Sequence, residues 1–583
     1  MNIQKKLLVT TAIKETFGSG YDGESIFLGE WCSISDTNAL NNRIVNSYLK
    51  DREKFEKDYY YLEQFYERLL DAVTKSLNLY HNTDYQSQYW RVILGPWLLS
   101  YVSAIWNRWE NLRNAFEEYE FDETIILDST TFEQMTPSYH SDAIDLIANS
   151  HYWNHCIFAK ILKEHYKKKV NFINIPYDEK NSNKVNCKNN RKSYKHLIAI
   201  LFDKMLGLLQ TNEKIVISSG YFNFISLFKI LIKFGQVPRL YSEFDKIIKM
   251  PKASSREEIV LAIEGDSHFE LFVKNNIVSD IPIAYVEGFS DIKNNVQHIF
   301  KKCEVIFSAN SYWHNDLFKV FCAEKVNLGK KMIISQHGGA FGLKYSKFRH
   351  EDRISNIHIV WHNILFKNQM RLPPNKIIGR DKSKIIGTSL LIVGFESSLY
   401  LGQYRTGSIG PLNLDDCYQK IDFIKTLNSD IMSSIIVRPQ HPSRGWGIDR
   451  HYSNIIGNER ISYKGSLRDA YDDSKIIVCS YPETTFFEAL HSGKPTILLY
   501  MKENWDFHSE FSSLISIMED ANILFTNPVA ASNHINKIWD NPNYWWNLPK
   551  VVNAREEFFD QCGRVDDNWL DQWGDFFKEQ LIN

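Results

Sequence analysis

The 583 residues contain no CxxC pair and no cysteine–histidine cluster at zinc-ligand spacing. The eight cysteines stand singly along the chain, which excludes a disulfide framework and suits a reducing compartment. No Walker A loop is present and no GxGxxG opens a helix after a strand, which argues against ATPases and nicotinamide enzymes. No Asp-x-Asp follows an apolar strand, since Asp415-Asp416 and Asp472-Asp473 do not follow one, so no metal and no cofactor are expected. The longest apolar run, Val92–Trp106, is below spanning length and holds Gly95-Pro96. Leu7–Val9 behind Lys5 and Lys6 is too short for a secretory signal, and a cytoplasmic protein is expected. A formal net charge of -2 supplies no field for nucleic acid.

What is present is aromatic side chains, at 14%, and short β-rich runs alternating with helical spacing. That alternation predicts an α/β protein with parallel sheets. The clearest stretch is 431–500. Ser433–Val437 ends at Arg438-Pro439-Gln440-His441-Pro442, and Ile476–Cys479 ends at Ser480-Tyr481-Pro482-Glu483-Thr484-Thr485. Phe486–Ser492 has helical spacing up to Gly493, and Thr496–Tyr500 is a third strand. Ligands of such sheets bind at the carboxyl ends of strands, where both polar loops fall. Ser480 with Glu483, or Thr485 with Glu488, fits a capping box, and a helix start there offers N–H groups to an anion. Arg438 would supply positive charge, His441 held by Pro442 a hydrogen-bond donor, and Glu488 a carboxylate for sugar or ribose hydroxyls.

Further strands are expected at Lys214–Ser218, Ile259–Ile263, Val305–Ser308, Met332–Ser335 and Ile357–Trp361. Met332–Ser335 runs into Gln336-His337-Gly338-Gly339, which places an imidazole and backbone N–H groups at one spot, suited to phosphate contact or proton transfer. A histidine in a tight turn is the competing reading. Near the start, Leu7–Thr11 and Ile26–Cys32 bracket a glycine turn with Gly18 and Gly20. Glu30 behind the second run is the candidate general base, because partial burial raises a carboxyl pKa. Residues 40–200 look like a helical insertion. His151 and His155 share a helix face, but no third metal ligand is evident. The lysine-rich stretch 160–195 is a solvated loop or a contact for an anionic membrane face.

At these residues the chain resembles bacterial sugar transferases of the two-Rossmann GT-B architecture encoded with surface-polysaccharide clusters. SYPETTFFEALHSGKPTILLY is similar to their donor-side helix and strand. RPQHP resembles the His-Pro motif of CMP-sugar-using sialyltransferases and β-Kdo transferases, with Ser480, Thr484 and Thr485 as the companion Ser/Thr motif. SQHGGAFG resembles a loop of capsule Kdo transferases and, more loosely, of CDP-glycerol polyol-phosphate transferases. The resemblance implies an acceptor-side unit over 1–370, a linker at 371–384 able to close the cleft, a donor unit over 385–542, and a helical tail over 543–583 packing back on the first unit. It implies a nucleotide-sugar donor, such as CMP-Kdo or a CMP-nonulosonate, and a glycan or lipid-linked acceptor. Arg438, His441, Pro442, Ser480, Thr484, Thr485 and Glu488 would bind the donor, with Glu30 and His337 catalytic and Gly18, Gly20, Gln336, Gly338 and Gly339 shaping the acceptor loops. A UDP- or GDP-sugar transferase, a CDP-polyol phosphotransferase and a non-catalytic glycan-binding scaffold are the alternatives.

Overall fold

A computed structural model describes residues 5–582 apart from 20, 35–42, 129–135, 177–193, 210–212, 266, 340–341 and 384–386. Its frame is three five-stranded sheets, every paired strand parallel. The first holds β1 (Lys5–Val9), β2 (Gly23–Phe27), β3 (Arg43–Ile44), β4 (Glu123–Leu127) and β5 (Asn171–Ile175), in the order β3-β2-β1-β4-β5. The second holds β6 (Ile215–Ser218), β7 (Val305–Ser308), β8 (Lys331–Ser335), β9 (Ile357–Val360) and β10 (Gln369–Arg371), in consecutive order. The third holds β11 (Ser389–Val393), β12 (Ile435–Arg438), β13 (Ser474–Cys479), β14 (Thr496–Leu499) and β15 (Leu524–Phe525), in the order β12-β11-β13-β14-β15. Apart from the edge strand β10, the strands of the second and third sheets are mostly short apolar runs, as burial on both faces demands.

The expected helical insertion over 40–200 is corrected. Two long helices are there, α1 (Arg52–His81) and α2 (Ser87–Glu118), but β3, β4 and β5 also fall in that range, β3 pairing with β2, β4 with β1 and β5 with β4. Residues 5–175 therefore build a sheet of their own. Ile259–Ile263, expected as a strand, joins no sheet; Ile259, Leu261 and Ile263 are buried in alternation along irregular backbone. The stretch 371–384 is not a loose tether. Asn375 is fully buried, donates to Gly220 O at 2.6 Å, and accepts from Trp361 Nε1 at 3.1 Å. The last helix, Trp569–Ile582, lies on the second sheet, where Trp573 packs against Phe222 and Phe307 and donates to Pro373 O at 3.1 Å.

α2 is the centre of the molecule. It is buried along most of its length and touches α1, helices beside the first sheet, and helices of the second sheet. Residues 92–105 are buried on every side, as in a core helix, and Gly95-Pro96 is accommodated inside it. A Cβ on Gly95 would stand 2.5 Å from Cε1 of His350, so only glycine lets that ring approach. Arg108 is fully buried; it donates to Asn154 Oδ1 at 2.8 Å, to Ile147 O at 2.8 Å and to Leu401 O. Among the described residues no helix is long and apolar enough to cross a membrane. Of the described cysteines all are free, and all but the half-buried Cys156 are buried.

Three histidines in this core are neutral by construction. His140 and His350 are buried with neither ring nitrogen partnered among the described residues, and His155 Nε2 accepts the Leu127 N–H at 3.0 Å. The bond to Leu127 and one from His151 to Tyr400 OH at 2.8 Å occupy the pair considered for metal. Burial pushes His155 down to about 4, His350 down to about 3, and His140 well below the ordinary 6.5. Below pH 6.5 the unfolded chain takes up protons that the native state refuses. The stability these rings contribute is complete above about pH 6.5 and is lost as pH falls towards 4, on the order of 3 kcal/mol each for His155 and His350. The urea midpoint is expected to fall steadily from pH 7 to 4. His155→Gln keeps an acceptor for Leu127 without a titrating ring and flattens part of that slope; a midpoint constant over this range would contradict the reading.

Candidate functional site

The carboxyl end of β8 meets the start of the helix Thr484–His491, which follows β13. Gln336 sets the loop after β8: its Oε1 accepts from Trp361 N at 2.8 Å and its Nε2 donates to Gly338 O at 2.8 Å. The loop then touches the third sheet's helix, with Gly339 N donating to Thr484 Oγ1 at 2.9 Å. A Cβ at Gly338 would lie 2.0 Å from that oxygen, so the contact requires glycine. Two stretches expected separately at strand ends, Gln336–Gly339 and Thr484, are thus in direct contact.

Around this seam is a cavity of about 250 Å³. Its cations are Lys344, Lys347, Arg349 and Arg405, its carboxylates Glu351, Asp352 and Glu483, and its imidazoles His337, His358, His362 and His508. Burial, reinforced by Lys347, pushes His337 down to about 4, so the ring is neutral at pH 7. Burial alone would raise the Glu351 carboxyl, but the ion pair with Lys347 at 2.7 Å holds it well below the usual carboxylate range. Tyr312 OH adds a hydrogen bond to it at 2.8 Å. Asp352 accepts from His358 Nδ1 at 2.9 Å and from Gln369 Nε2 at 3.0 Å. A carboxylate only accepts, so Nδ1 carries the proton and Nε2 is the basic nitrogen.

The basic wall is aimed by an unusual turn. Lys347, Phe348 and Arg349 have φ of 43°, 46° and 54°, three successive left-handed residues without a glycine. Such residues cost roughly 1–3 kcal/mol each and persist only where the surroundings enforce them. Here Phe348 is buried between Tyr59 and Tyr66 of α1, with ring centroids 5.2 and 5.8 Å away. Fixing Phe348 inward leaves Lys347 and Arg349 on the cavity side. Glu56 of α1 holds Lys344 at 2.7 Å, and Glu483 holds Arg405 at 3.3 Å.

The walls are also strapped to each other. Leu343 and Phe507 form an antiparallel bridge, Lys344 N donates to Asp506 O at 3.0 Å, and His508 N donates to Gly342 O at 2.9 Å. The expected closure about 371–384 would have to break these bonds.

The other expected site residues lie elsewhere or have other partners. Arg438 ends the edge strand β12 and donates to Lys464 O at 2.6 Å and Gly465 O at 2.7 Å. His441 and Pro442 are exposed past that edge, His441 beside Tyr463, and none of the three lines the cavity. Neither expected capping box forms; Glu483 is the N-cap residue and no side chain caps the turn. Ser480 Oγ is buried and unpartnered where the strand order reverses between β11 and β13, a place where ligands of open sheets bind. Thr485 accepts from Tyr471 OH through its carbonyl at 3.0 Å. Glu488 is ion-paired with Lys376 at 3.2 Å and Arg380 at 3.7 Å. Glu30 does carry a carboxyl pKa raised by burial, with Oε2 unpartnered, but its charged neighbours are Asp415 and Lys50 of a second, open cavity of about 600 Å³. It does not line the cleft. Gly18 caps a short turn with φ 72° over Leu7, and Gly20 lies outside the described residues. Among the described residues no group of three or more His, Cys, Asp or Glu could hold a metal ion.

Lys344, Lys347, Arg349, Arg405 and the His358–Asp352 pair were not singled out from the sequence. The run KYSKFRHEDR directly after SQHGGAFGL carried a signal, a cluster of cations behind a strand-end loop. Arg405, in an irregular stretch, carried none.

Residues 6–577 match the profile of the LIC12162 family transferase. Among curated proteins none matches. Solved structures similar to this chain include MurG of Acinetobacter baumannii, at 11% identity over 63% of this chain and 99% of that one, with a TM-score of 0.32. The UDP-GlcNAc 2-epimerase of Neisseria meningitidis bound to UDP-GlcNAc is similar at 10% identity over 63% and 99%, TM-score 0.32. The spinosyn forosaminyltransferase SpnP is similar at 10% identity over 64% and 99%, TM-score 0.32. The profile match runs over almost the whole length, and the chain belongs to the LIC12162 family of transferases.

Proposed function

We propose that this transferase moves a glycosyl unit from a nucleotide-activated sugar to a hydroxyl of a glycan or lipid-linked acceptor. The observation that carries the reading is the cleft itself, with four side-chain cations converging where a β8 loop of one parallel sheet touches a helix start of another. Lys344, Lys347, Arg349 and Arg405, paired in this structure with Glu56, Glu351, Asp352 and Glu483, exchange those carboxylates for the oxygens of a nucleotide phosphate and stabilise it as it leaves. These donors suit a UDP- or GDP-sugar as well as the CMP-Kdo or CMP-nonulosonate that the RPQHP resemblance implies. Neutral His337 donates or accepts at the phosphate. His358 Nε2 takes the proton of the acceptor hydroxyl, while Asp352 orients the ring and stabilises its charge. The acceptor oxygen bonds to the anomeric carbon as the carbon–oxygen bond to phosphate breaks, and that electron pair leaves with the nucleotide.

Calorimetry with UDP, GDP, CDP and CMP tests the donor site. Lys347→Ala and Arg405→Ala are expected to weaken diphosphate binding at least tenfold, with His441→Ala unchanged. Tight CMP binding lost in His441→Ala would return the donor to the RPQHP loop, and no nucleotide binding at all would sink the enzymatic reading in favour of a scaffold.

For the chemical step, His358→Ala is expected to lower kcat by about 10²–10⁴, the range of general-base catalysis, with nucleotide affinity kept. Asp352→Asn lowers it less and shifts the pH–rate profile. Glu30→Gln retains transfer. Full activity in His358→Ala, or loss in Glu30→Gln, would move the base to the other cavity.

A further inference from the structure

The second sheet's edge carries a surface the cleft does not use. On the helix Tyr194–Leu209 the side chains of Ile198, Leu201, Phe202 and Met205 are exposed, at the spacing of one helix face. On the helix Phe224–Leu231 and just beyond it, Phe224, Ile225, Phe228 and Ile232 are exposed, Phe224 and Ile225 at 67%. Roughly half of the large exposed apolar side chains among the described residues fall between 198 and 260. Two such exposed apolar helix faces, one before and one after β6 in the chain, mark an interaction site.

Charge says what covers it. Lys204, Lys214, Lys229, Lys246, Lys249 and Lys252 are exposed among these residues, and Lys233 is exposed with Asp571 at 2.9 Å. Between 198 and 260 seven lysines are exposed against three acids, Asp245, Glu257 and Glu258. Arg239 engages Asp203 at 3.3 Å, Glu213 at 2.6 Å and Glu243 at 2.7 Å, and of the acids from 198 to 252 Asp245 alone is classed exposed. Bare aromatic and aliphatic side chains among an excess of lysines are complementary to an anionic lipid surface: the apolar groups enter the headgroup region and the ammonium groups stay at the phosphates. A second copy of this chain would bring the same lysines face to face and repel.

The surface also leads to the cleft. Tyr221, three residues before Phe224, has its ring 5.8 Å from that of His337. We infer that the exposed faces of the helices Tyr194–Leu209 and Phe224–Leu231 form a docking surface for an anionic bilayer, next to the cleft. The inference does not rest on glycosyl transfer, and its test reads binding alone.

Co-sedimentation of the full chain with phosphatidylcholine vesicles, and with vesicles that are part phosphatidylglycerol, tests it. Binding is expected to the anionic vesicles, at least tenfold stronger than to the neutral ones and weakened by salt. Phe224→Ser with Phe228→Ser, and separately Leu201→Ser with Phe202→Ser, are expected to reduce it at least tenfold. Both pairs are exposed, so an unchanged urea midpoint verifies the fold. Absence of binding to anionic vesicles would overturn the inference. So would a wild-type dimer on gel filtration that becomes a monomer in either double variant, because a second copy would then own the surface.

Discussion

The rest of the structure depends on one buried guanidinium and the helix that carries it. Arg108 sits in α2 without a carboxylate partner among the described residues, and burial pushes it down to about 9. Carbonyl and amide oxygens from the helix after β4, from Ile147 and from Leu401 beyond β11 solvate it instead. A buried cation left without those acceptors costs several kcal/mol. The charge therefore holds parts of the chain almost three hundred residues apart in one register. α2 and α1 together form the spacer against which the second and third sheets are set.

That spacer reaches the site. The same α1 that packs on α2 supplies Tyr59 and Tyr66 against Phe348, and Glu56 to Lys344. The left-handed turn at 347–349 is strained backbone maintained by packing from a different part of the chain. The basic wall is thus a product of tertiary structure, although its residues adjoin one another in sequence.

This explains which parts were legible. Strands β12, β13 and β14 and the helix Thr484–His491 could be read because each is a short apolar or periodic run ended by local turn chemistry. Gln336–Gly339 and Thr484 could be read as strand-end loops, and their mutual contact follows from the facing of two sheets. The direction of Lys347 and Arg349 could not, since it depends on aromatic rings some 280 positions away in the chain. The first sheet was hidden because β3 has two residues and β4 returns only after two long helices. The surroundings of His441 were not legible either: the motif follows a strand as read, but β12 is the edge strand, and its end opens to solvent.

The bridge between Leu343 and Phe507 has a consequence for selectivity. Enzymes whose lobes swing shut can use the free energy of closing to discriminate, because only the right substrate completes the movement. Walls that share backbone hydrogen bonds have little such movement to offer. Discrimination then falls on the shape and charge met by a molecule on its way in, as in a lock cut in advance.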